Sequence, residues 1–415
     1  MFIGFISVQL ARDGKVVPTA LLYPAAAAAV FLVLHVVMRV FVSRADGLLL
    51  PIAAALTFLG LVMIYRLDQK LALEQLIWIA VAAACFVLVL VFLRNYESLS
   101  QYKYTIGIVA LLLLASTMVL GKEVNGARLW LQIGPLHFQP SELAKVLLVI
   151  FLAAFFAEKH ELLSISTHRV AGVPLPEIKY FVPLLLMWGV SVLMMIYQKD
   201  LGSSLLFFGI FICMAYAATA RKTYVFVGVA LFALGAYLCY LGFAHVQVRV
   251  ITWLHPFNPV TIQGKSYQIS QSLFALSSGG VSGTGLGLGH PTFIPSVTTD
   301  FIFSAVGEEL GLLGAVSVVL MYVLFVARGI KVALAHRDDF GKLLAVGLVS
   351  IIAIQSFLIM GGVTRLIPLT GITLPFVSYG GSSLLANFIL LGLLIVLSQR
   401  GATTNVASIK QGMKQ

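Results

Sequence analysis

The sequence predicts an all-α polytopic membrane protein, and three observations carry that expectation. Of 415 residues, 60% are hydrophobic and only 10% are charged, against roughly 25% charged in an ordinary soluble domain. Mean hydropathy is +1.01. Apolar runs of about twenty residues, the length that crosses a bilayer core as a helix, recur from one end to the other. A water-soluble globule is excluded, and lipid is the solvent for most of the surface.

Runs bounded by charges, Pro and Gly predict eleven spans in chain order, at 19–43, 47–65, 71–93, 102–120, 141–157, 179–197, 201–219, 224–244, 301–327, 341–363 and 382–398. Residues 2–10 form one more apolar stretch. Nine residues of helix cover only about 14 Å of a core roughly 30 Å thick, so this stretch cannot cross alone. It lacks a basic flank and a small-residue cleavage site, and reads as a half-buried or truncated helix rather than a cleaved signal peptide.

The net charge is +11, from 27 Lys and Arg against 16 Asp and Glu. The basic residues stand singly or in pairs between apolar runs, as in Arg221-Lys222 or Arg328 with Lys331. That distribution sets membrane orientation and does not grip nucleic acid. Alternate loops carry sixteen Lys and Arg on one side, Arg94, Lys179 and Lys414 among them, and ten on the other. The richer side is expected in the cytoplasm, with the C-terminus, and the segment 245–300 outside. Cys85, Cys213 and Cys239 all lie in apolar runs and read as packing residues.

The segment 245–300 is far longer than an ordinary connection, and long loops carry function. It holds Trp253, Phe257, Tyr267, Phe274 and Ile294, and glycines at 279, 280, 283, 285, 287 and 289. Such a loop folds back onto the membrane surface. With 121–140 (Arg128, Trp130, His137) and 364–381 (Pro368, Gly371, Pro375, Gly380, Gly381), it is expected to roof a site at the outer leaflet.

Ionisable residues at membrane depth each need a reason. Glu142 and Lys145 are three residues apart on one helix face. They read as a self-neutralising pair, or as an anion-binding lysine oriented by its glutamate, with a diphosphate as the natural anion. Asp300, after Thr298 and Thr299, reads as a helix N-cap, or as a carboxylate that takes a proton from a sugar hydroxyl or holds a divalent cation such as Mg or Mn. Glu308 and Glu309 lie two turns on, with Glu308 nearer the Asp300 face, and at least one must meet a cavity or a basic partner. Asp200 sits on a tight turn and reads as a cap or as the partner of Lys199. The run Gly283-Thr284-Gly285-Leu286-Gly287 looks like a phosphate loop, but follows no buried strand and lies outside, so no nucleotide is expected. The eight histidines show no metal spacing.

Five separated motifs resemble the SEDS family of RodA, FtsW and SpoVE. They are Gln139-Pro140-Ser141-Glu142-Leu143-Ala144-Lys145; Gln198-Lys199-Asp200-Leu201-Gly202; Tyr267-Gln268 with Gln271-Ser272 and Ser278-Gly279-Gly280; Thr299-Asp300-Phe301-Ile302-Phe303 with Gly307-Glu308-Glu309-Leu310-Gly311; and Leu374-Pro375-Phe376-Val377-Ser378-Tyr379-Gly380-Gly381-Ser382-Ser383. The resemblance implies a ten-helix core over 47–400, preceded by at least one additional helix within 1–46 and followed by a cytoplasmic tail, 401–415. It implies a peptidoglycan glycosyltransferase that polymerises lipid II at the outer face of the bacterial cytoplasmic membrane. The expected partners are a class B penicillin-binding protein and other elongation or division proteins. It makes Asp300 the catalytic aspartate and Glu142 and Lys145 the membrane-embedded pair.

The chemistry fits the residue types. Joining two lipid-linked disaccharides needs a base for the acceptor hydroxyl and positive charge for the undecaprenyl diphosphate that leaves. Asp300 is the candidate base; Lys145, with Arg128 or Arg249, is the candidate phosphate partner; Gln268, Gln271 and Ser272 are candidates for sugar or peptide, and Glu308 for substrate. The chain departs from the family pattern at Ser296, where many members have Glu, at His255-Pro256 in place of Asp-Pro, and at Gly289-His290-Pro291. Thr370 stands where the division branch often has Lys, which leans toward the RodA branch. Two other classes compete. A lipid II flippase predicts charges through the bilayer midplane and an inverted repeat. A scaffold for a transpeptidase tolerates loss of Asp300.

Overall fold

The computed structural model describes residues 1–93, 95–124, 127–133, 136–164, 168–170, 173–175 and 182–412. Arg94, Lys179 and Lys414 from the loop-charge count fall outside them, as do the first three residues of the expected span 179–197.

Among the described residues the chain is a helical bundle, in the order α1 (Phe2–Asp13), α2 (Leu22–Phe41), α3 (Leu49–Leu67), α4 (Gln69–Phe92), the single turn α5 (Ser98–Gln101), α6 (Lys103–Leu120), α7 (Pro140–Ser164), α8 (Val182–Tyr197), α9 (Leu201–Thr219), α10 (Lys222–Gly242), α11 (Ala244–Leu254), α12 (Tyr267–Gly279), α13 (Ile302–Ala335), α14 (Asp339–Val363) and α15 (Gly381–Gly412). Ten of these helices are long and apolar enough to cross a membrane, and α8 is a shorter apolar helix. Each of the eleven expected spans therefore corresponds to a helix. The segment 121–140 contains a small antiparallel sheet, β1 (Lys122–Val124), β2 (Ala127–Ile133) and β3 (Leu136–Phe138), with Leu131 opposite Phe138 and Gln132 opposite His137.

Close helix approach is set by small residues, because lipid tails give no hydrophobic drive between helices. A Cβ on Gly60 of α3 would stand 2.3 Å from the carbonyl oxygen of Val377, and one on Gly392 of α15 would stand 2.9 Å from Val89 of α4. Helices α7, α14 and α15 form the interior, and Phe388 of α15 meets Phe86 of α4 and Phe376 of the preceding loop edge to face. Helix α10 lies at the periphery without a buried residue. It touches α9 through Gly228, whose bare face meets Ile212, and through Phe232, with its ring 5.1 Å from that of Phe208.

The N-terminal stretch is half-buried, as its length requires. Phe5, Val8 and Gln9 of α1 face the bundle while Ile3 is 79% exposed.

Two ends of the bundle differ in chemistry. At one, Arg328 pairs with Asp46, and Tyr96, His336 and Asp338 form a cluster. There Asp338 caps α14 by accepting from the Gly341 N–H at 2.6 Å, while His336 Nε2 lies 2.9 Å from the Leu397 carbonyl. At the other end lie Asp300, α11, α12 and the loop 364–380.

Candidate active site

Helix α13 starts after Asp300, but Asp300 does not cap it. The N-cap position is Phe301, and no side chain caps the helix. The capping reading is thereby corrected: the Asp300 carboxylate is directed elsewhere. Its backbone is held from the loop before α15, where Tyr379 N–H donates to Thr298 O at 2.8 Å and Ser378 Oγ donates to Thr299 O at 2.5 Å.

Asp300 and Arg249 converge on the bare face of Gly371. A Cβ there would stand 3.6 Å from Asp300 Oδ2 and 3.7 Å from Arg249 Nη2. Gly371 has φ of +72°, a conformation open to glycine. Arg249, on α11, is anchored by donating Nη1 to the carbonyls of Thr370 at 3.0 Å and Leu369 at 3.3 Å.

Asp200 lies on the same side. It caps α9 by accepting from Ser203 N–H at 3.0 Å, and its Oδ2 is buried without a hydrogen-bond partner. The cap half of its sequence reading holds, and the pairing of α9 with the loop is enforced by Gly202, whose Cβ would stand 2.5 Å from Thr370 O. Thr370 Oγ1 is likewise buried and unpartnered.

Burial pushes the Asp300 carboxyl up to about 6, with the Asp200 charge adding to the rise, while the Thr299 hydrogen bond and the Arg249 charge hold it down. Asp200 is also raised, again mainly by burial. A carboxylate poised near neutrality is what general-base chemistry needs.

The pair at the start of α7 is real. Lys145, 2% exposed, donates to Glu142 Oε2 at 2.5 Å and to Gln355 Oε1 at 2.7 Å. Gln355 passes the contact on by donating to Thr373 O at 2.8 Å, so the pair is wired to the loop that carries Gly371.

Other expected site residues stand apart. Glu308 does not face Asp300. Its Oε1 accepts from His290 N–H at 2.8 Å, and the adjacent Glu309 pairs with Arg66 at 2.9 Å, so both side chains engage the glycine loop. Ser272 is buried between helices, 2.7 Å from Ser304 Oγ and donating to Val363 O at 3.0 Å, which ties α12 to α13 and α14. Gln268 and Gln271 are half-buried on α12, and Arg128 is exposed on β2. The sequence reading placed Gly371 in the roof of the site but missed Gln355 and the placing of Asp200 beside Arg249. No local signal marks them, since each acts through a partner distant in the chain.

Fold and site together define a multi-pass helical membrane protein with a charged site at one end, where a carboxylate and a guanidinium converge on Gly371 and a buried lysine is linked through Gln355 to the same loop. A model of the FtsW/RodA/SpoVE cell cycle proteins matches residues 46–402. The chain belongs to that family. It is 46% identical over 310 residues to the peptidoglycan glycosyltransferase RodA of Mycobacterium tuberculosis (strain ATCC 25618 / H37Rv), covering 74% of this chain and 66% of that protein. It is 36% identical over 314 residues to the probable peptidoglycan glycosyltransferase FtsW of Geobacter metallireducens, covering 74% of this chain and 79% of that one. Among solved structures, a chain described under the coordination of polymerization and crosslinking by a peptidoglycan synthase complex superposes with a TM-score of 0.69 and 28% identity, over 86% of this chain and 98% of that one. Thermus thermophilus RodA gives a TM-score of 0.59 and 29% identity, over 85% and 96%. The matched region thus spans just under two thirds of the mycobacterial relative's length.

Proposed function

We propose that this chain is a peptidoglycan glycosyltransferase that polymerises lipid II into glycan strands at the outer face of the bacterial cytoplasmic membrane, releasing undecaprenyl diphosphate. The observation that carries it is the uncapping Asp300 carboxylate, raised to about 6 and aimed at the gap it shares with Arg249. The named relatives support the reaction class, and the excess of Lys and Arg in the loops of the opposite end supports the orientation, with the C-terminus inside.

In this reading Asp300 accepts the proton of the acceptor's sugar hydroxyl as that oxygen bonds to the donor's anomeric carbon. The carbon's bond to the diphosphate oxygen breaks, and the diphosphate departs without needing a proton. Arg249 lies beside the base to meet the growing negative charge. Lys145 has three N–H donors and gives two to Glu142 and Gln355, leaving one for a phosphate oxygen. Arg128 remains a candidate at the rim, and Gln268 and Gln271 for sugar or peptide.

A divalent cation, Mg or Mn, fits the donor chemistry in one form only. Among the described residues no three His, Cys, Asp or Glu side chains come together as ligands. Asp300 would be its carboxylate, and substrate phosphates and water would complete the shell, as is usual for Mg. Such an ion would neutralise diphosphate charge. A class B penicillin-binding protein and other elongation or division proteins are the proposed partners, in keeping with the synthase complex whose chain this one resembles.

The test is polymerisation of lipid II by purified protein, with and without the transpeptidase partner and divalent cation, for wild type, Asp300→Ala and Asp300→Asn. Polymer from wild type and none from either variant supports the assignment. Undiminished product from both variants refutes it.

A further inference from the structure

The glycine loop, whose spacing only looks like that of a phosphate loop, supports a broken helix. Helix α13 is broken at Gly311, with φ 65° and ψ −167°. A break in a buried helix strands backbone donors and acceptors, which must find partners. The loop supplies them. Thr284 and Gly285 donate to the carbonyls of Glu308 and Glu309, both at 3.0 Å, and Leu312 and Leu313 donate to those of Gly280 and Val281 at 2.9 and 3.2 Å. This splice requires bare backbone. A Cβ on Gly279 would stand 2.0 Å from Gly307 O, one on Gly283 2.2 Å from Glu309 O, and one on Gly311 2.3 Å from Gly283 N.

The loop is then fastened from within. Arg66 donates Nε to Glu309 Oε1 at 2.9 Å and Nη2 to Gly289 O at 2.8 Å, and Gly287 N–H donates to Glu309 Oε2 at 3.0 Å. From the other side it is covered by α1. Ala11 Cβ lies 2.8 Å from where a Gly287 Cβ would stand, and the Val8 backbone 3.6 Å from it. Gly4 lets α1 lie against Val62 and Leu286, at 3.1 and 3.9 Å from its missing Cβ. The Phe5 ring rests 4.8 Å from that of Tyr65, whose hydroxyl also receives Gln9 Nε2 at 3.4 Å. Tyr65 is the residue before Arg66, so one turn of α3 backs both sides of the clamp.

The part of α13 before its break, residues 302–310, is a rod of about 12 Å with Asp300 just before one end and Glu308 and Glu309 at the other. We propose that α1 is a positioning element for the reaction: seated on Gly287, it presses the glycine loop onto Glu308 and Glu309 and so fixes the helical segment that follows Asp300, holding that carboxylate against Arg249. This rests on Asp300 being the reacting carboxylate.

The experiment compares wild type with Ala11→Leu, which lifts α1 from Gly287, Phe5→Ala, which loosens its seat, and Leu10→Ala, which alters its exposed face. Hydrogen exchange over 283–310 is measured together with kcat and KM for lipid II. Exchange there accelerating about tenfold, with kcat falling about 10- to 100-fold and KM and melting temperature nearly unchanged, in Ala11→Leu and not in Leu10→Ala, is the expected result. Should Phe5→Ala fail to fold, Ala11→Leu decides. Unchanged exchange over 283–310 overturns the clamp whether or not the chain polymerises lipid II. Faster exchange with undiminished kcat overturns the positioning role. A wild type that makes no polymer overturns the reaction reading instead, and the exchange result still decides the clamp.

Discussion

Asp300 Oδ2 and Arg249 Nη2 lie 3.6 and 3.7 Å from the position of a Cβ that Gly371 does not have. Both distances are ordinary van der Waals contacts, so a methyl group fits there, and a branched side chain is expected to crowd the two charged groups. Gly371→Ala should fold with a penalty of about 1 kcal/mol, from the left-handed φ of that residue, and keep most of its polymerase activity. Gly371→Val should separate base and guanidinium and lose activity by about 100-fold. The pair is compared by lipid II turnover at matched melting temperature, and full activity in the valine variant would show that the gap is not the reaction site.

The pH dependence follows from the raised Asp300 carboxyl. A base must be ionised, so the rate should climb with pH through about 6 and level off above it. Arg249 holds this value down and Asp200 pushes it up. Arg249→Gln should move the midpoint to higher pH and Asp200→Asn to lower pH, read from rate profiles of the two variants.

Stability should show the opposite sign. A carboxyl raised by folding contributes stability fully present below its unfolded value, about 4, and lost as pH rises through about 6. Asp300→Asn should therefore melt at or above wild type at pH 7.5 while making no polymer. Thermal melts in detergent at pH 5 and 7.5 check it; a lower melting temperature for the variant at the higher pH would contradict the burial argument.

Breaking the α7 pair should cost far more than removing it. Lys145→Met leaves the Glu142 carboxylate buried without its cation, a loss of about 3–5 kcal/mol. Lys145→Met combined with Glu142→Leu should recover most of that stability and none of the activity. Activity returning with stability would make the pair purely structural.

At the far end, burial raises the Asp338 carboxyl, but hydrogen bonds from His336, the Gly341 N–H and Tyr96 outweigh it and hold it down at about 2. That stabilisation is present above the unfolded value near 4 and is lost as pH falls from about 4 to about 2. Asp338→Ala should lower stability by about 1 kcal/mol at neutral pH, the usual worth of an N-cap, with the difference vanishing in acid. Melting curves across that range decide.

Much of this was legible because hydropathy alone marks a span and i,i+3 spacing alone pairs Glu142 with Lys145. What escaped was made by distance in sequence. Lys145 meets Gln355 across 210 positions and Arg66 meets Glu309 across 243, and neither meeting leaves a periodicity. Asp300 looked like a cap because Thr-Thr-Asp before an apolar run has that form; only the structure shows Phe301 in the cap position. An unbroken helix standing free puts Glu308 nearer the Asp300 face, whereas in the structure the end of the glycine loop folds over it and donates to both carboxylates.

Helix α10 has no buried residue; it meets α9 along the edge that carries Gly228 and Phe232, and α11 near its end, where the Tyr240 carbonyl accepts from Gln247 Nε2 at 3.0 Å. A segment in that position is specified by its composition more than by its order. Permuting its remaining residues preserves what the bilayer reads, an apolar length, and disturbs little that neighbouring helices read. The same permutation in α15, buried along nearly its whole span, would scramble every contact it makes. Spelling therefore matters unevenly along this chain: the lipid enforces an alphabet at its margin, and the packed interior enforces words.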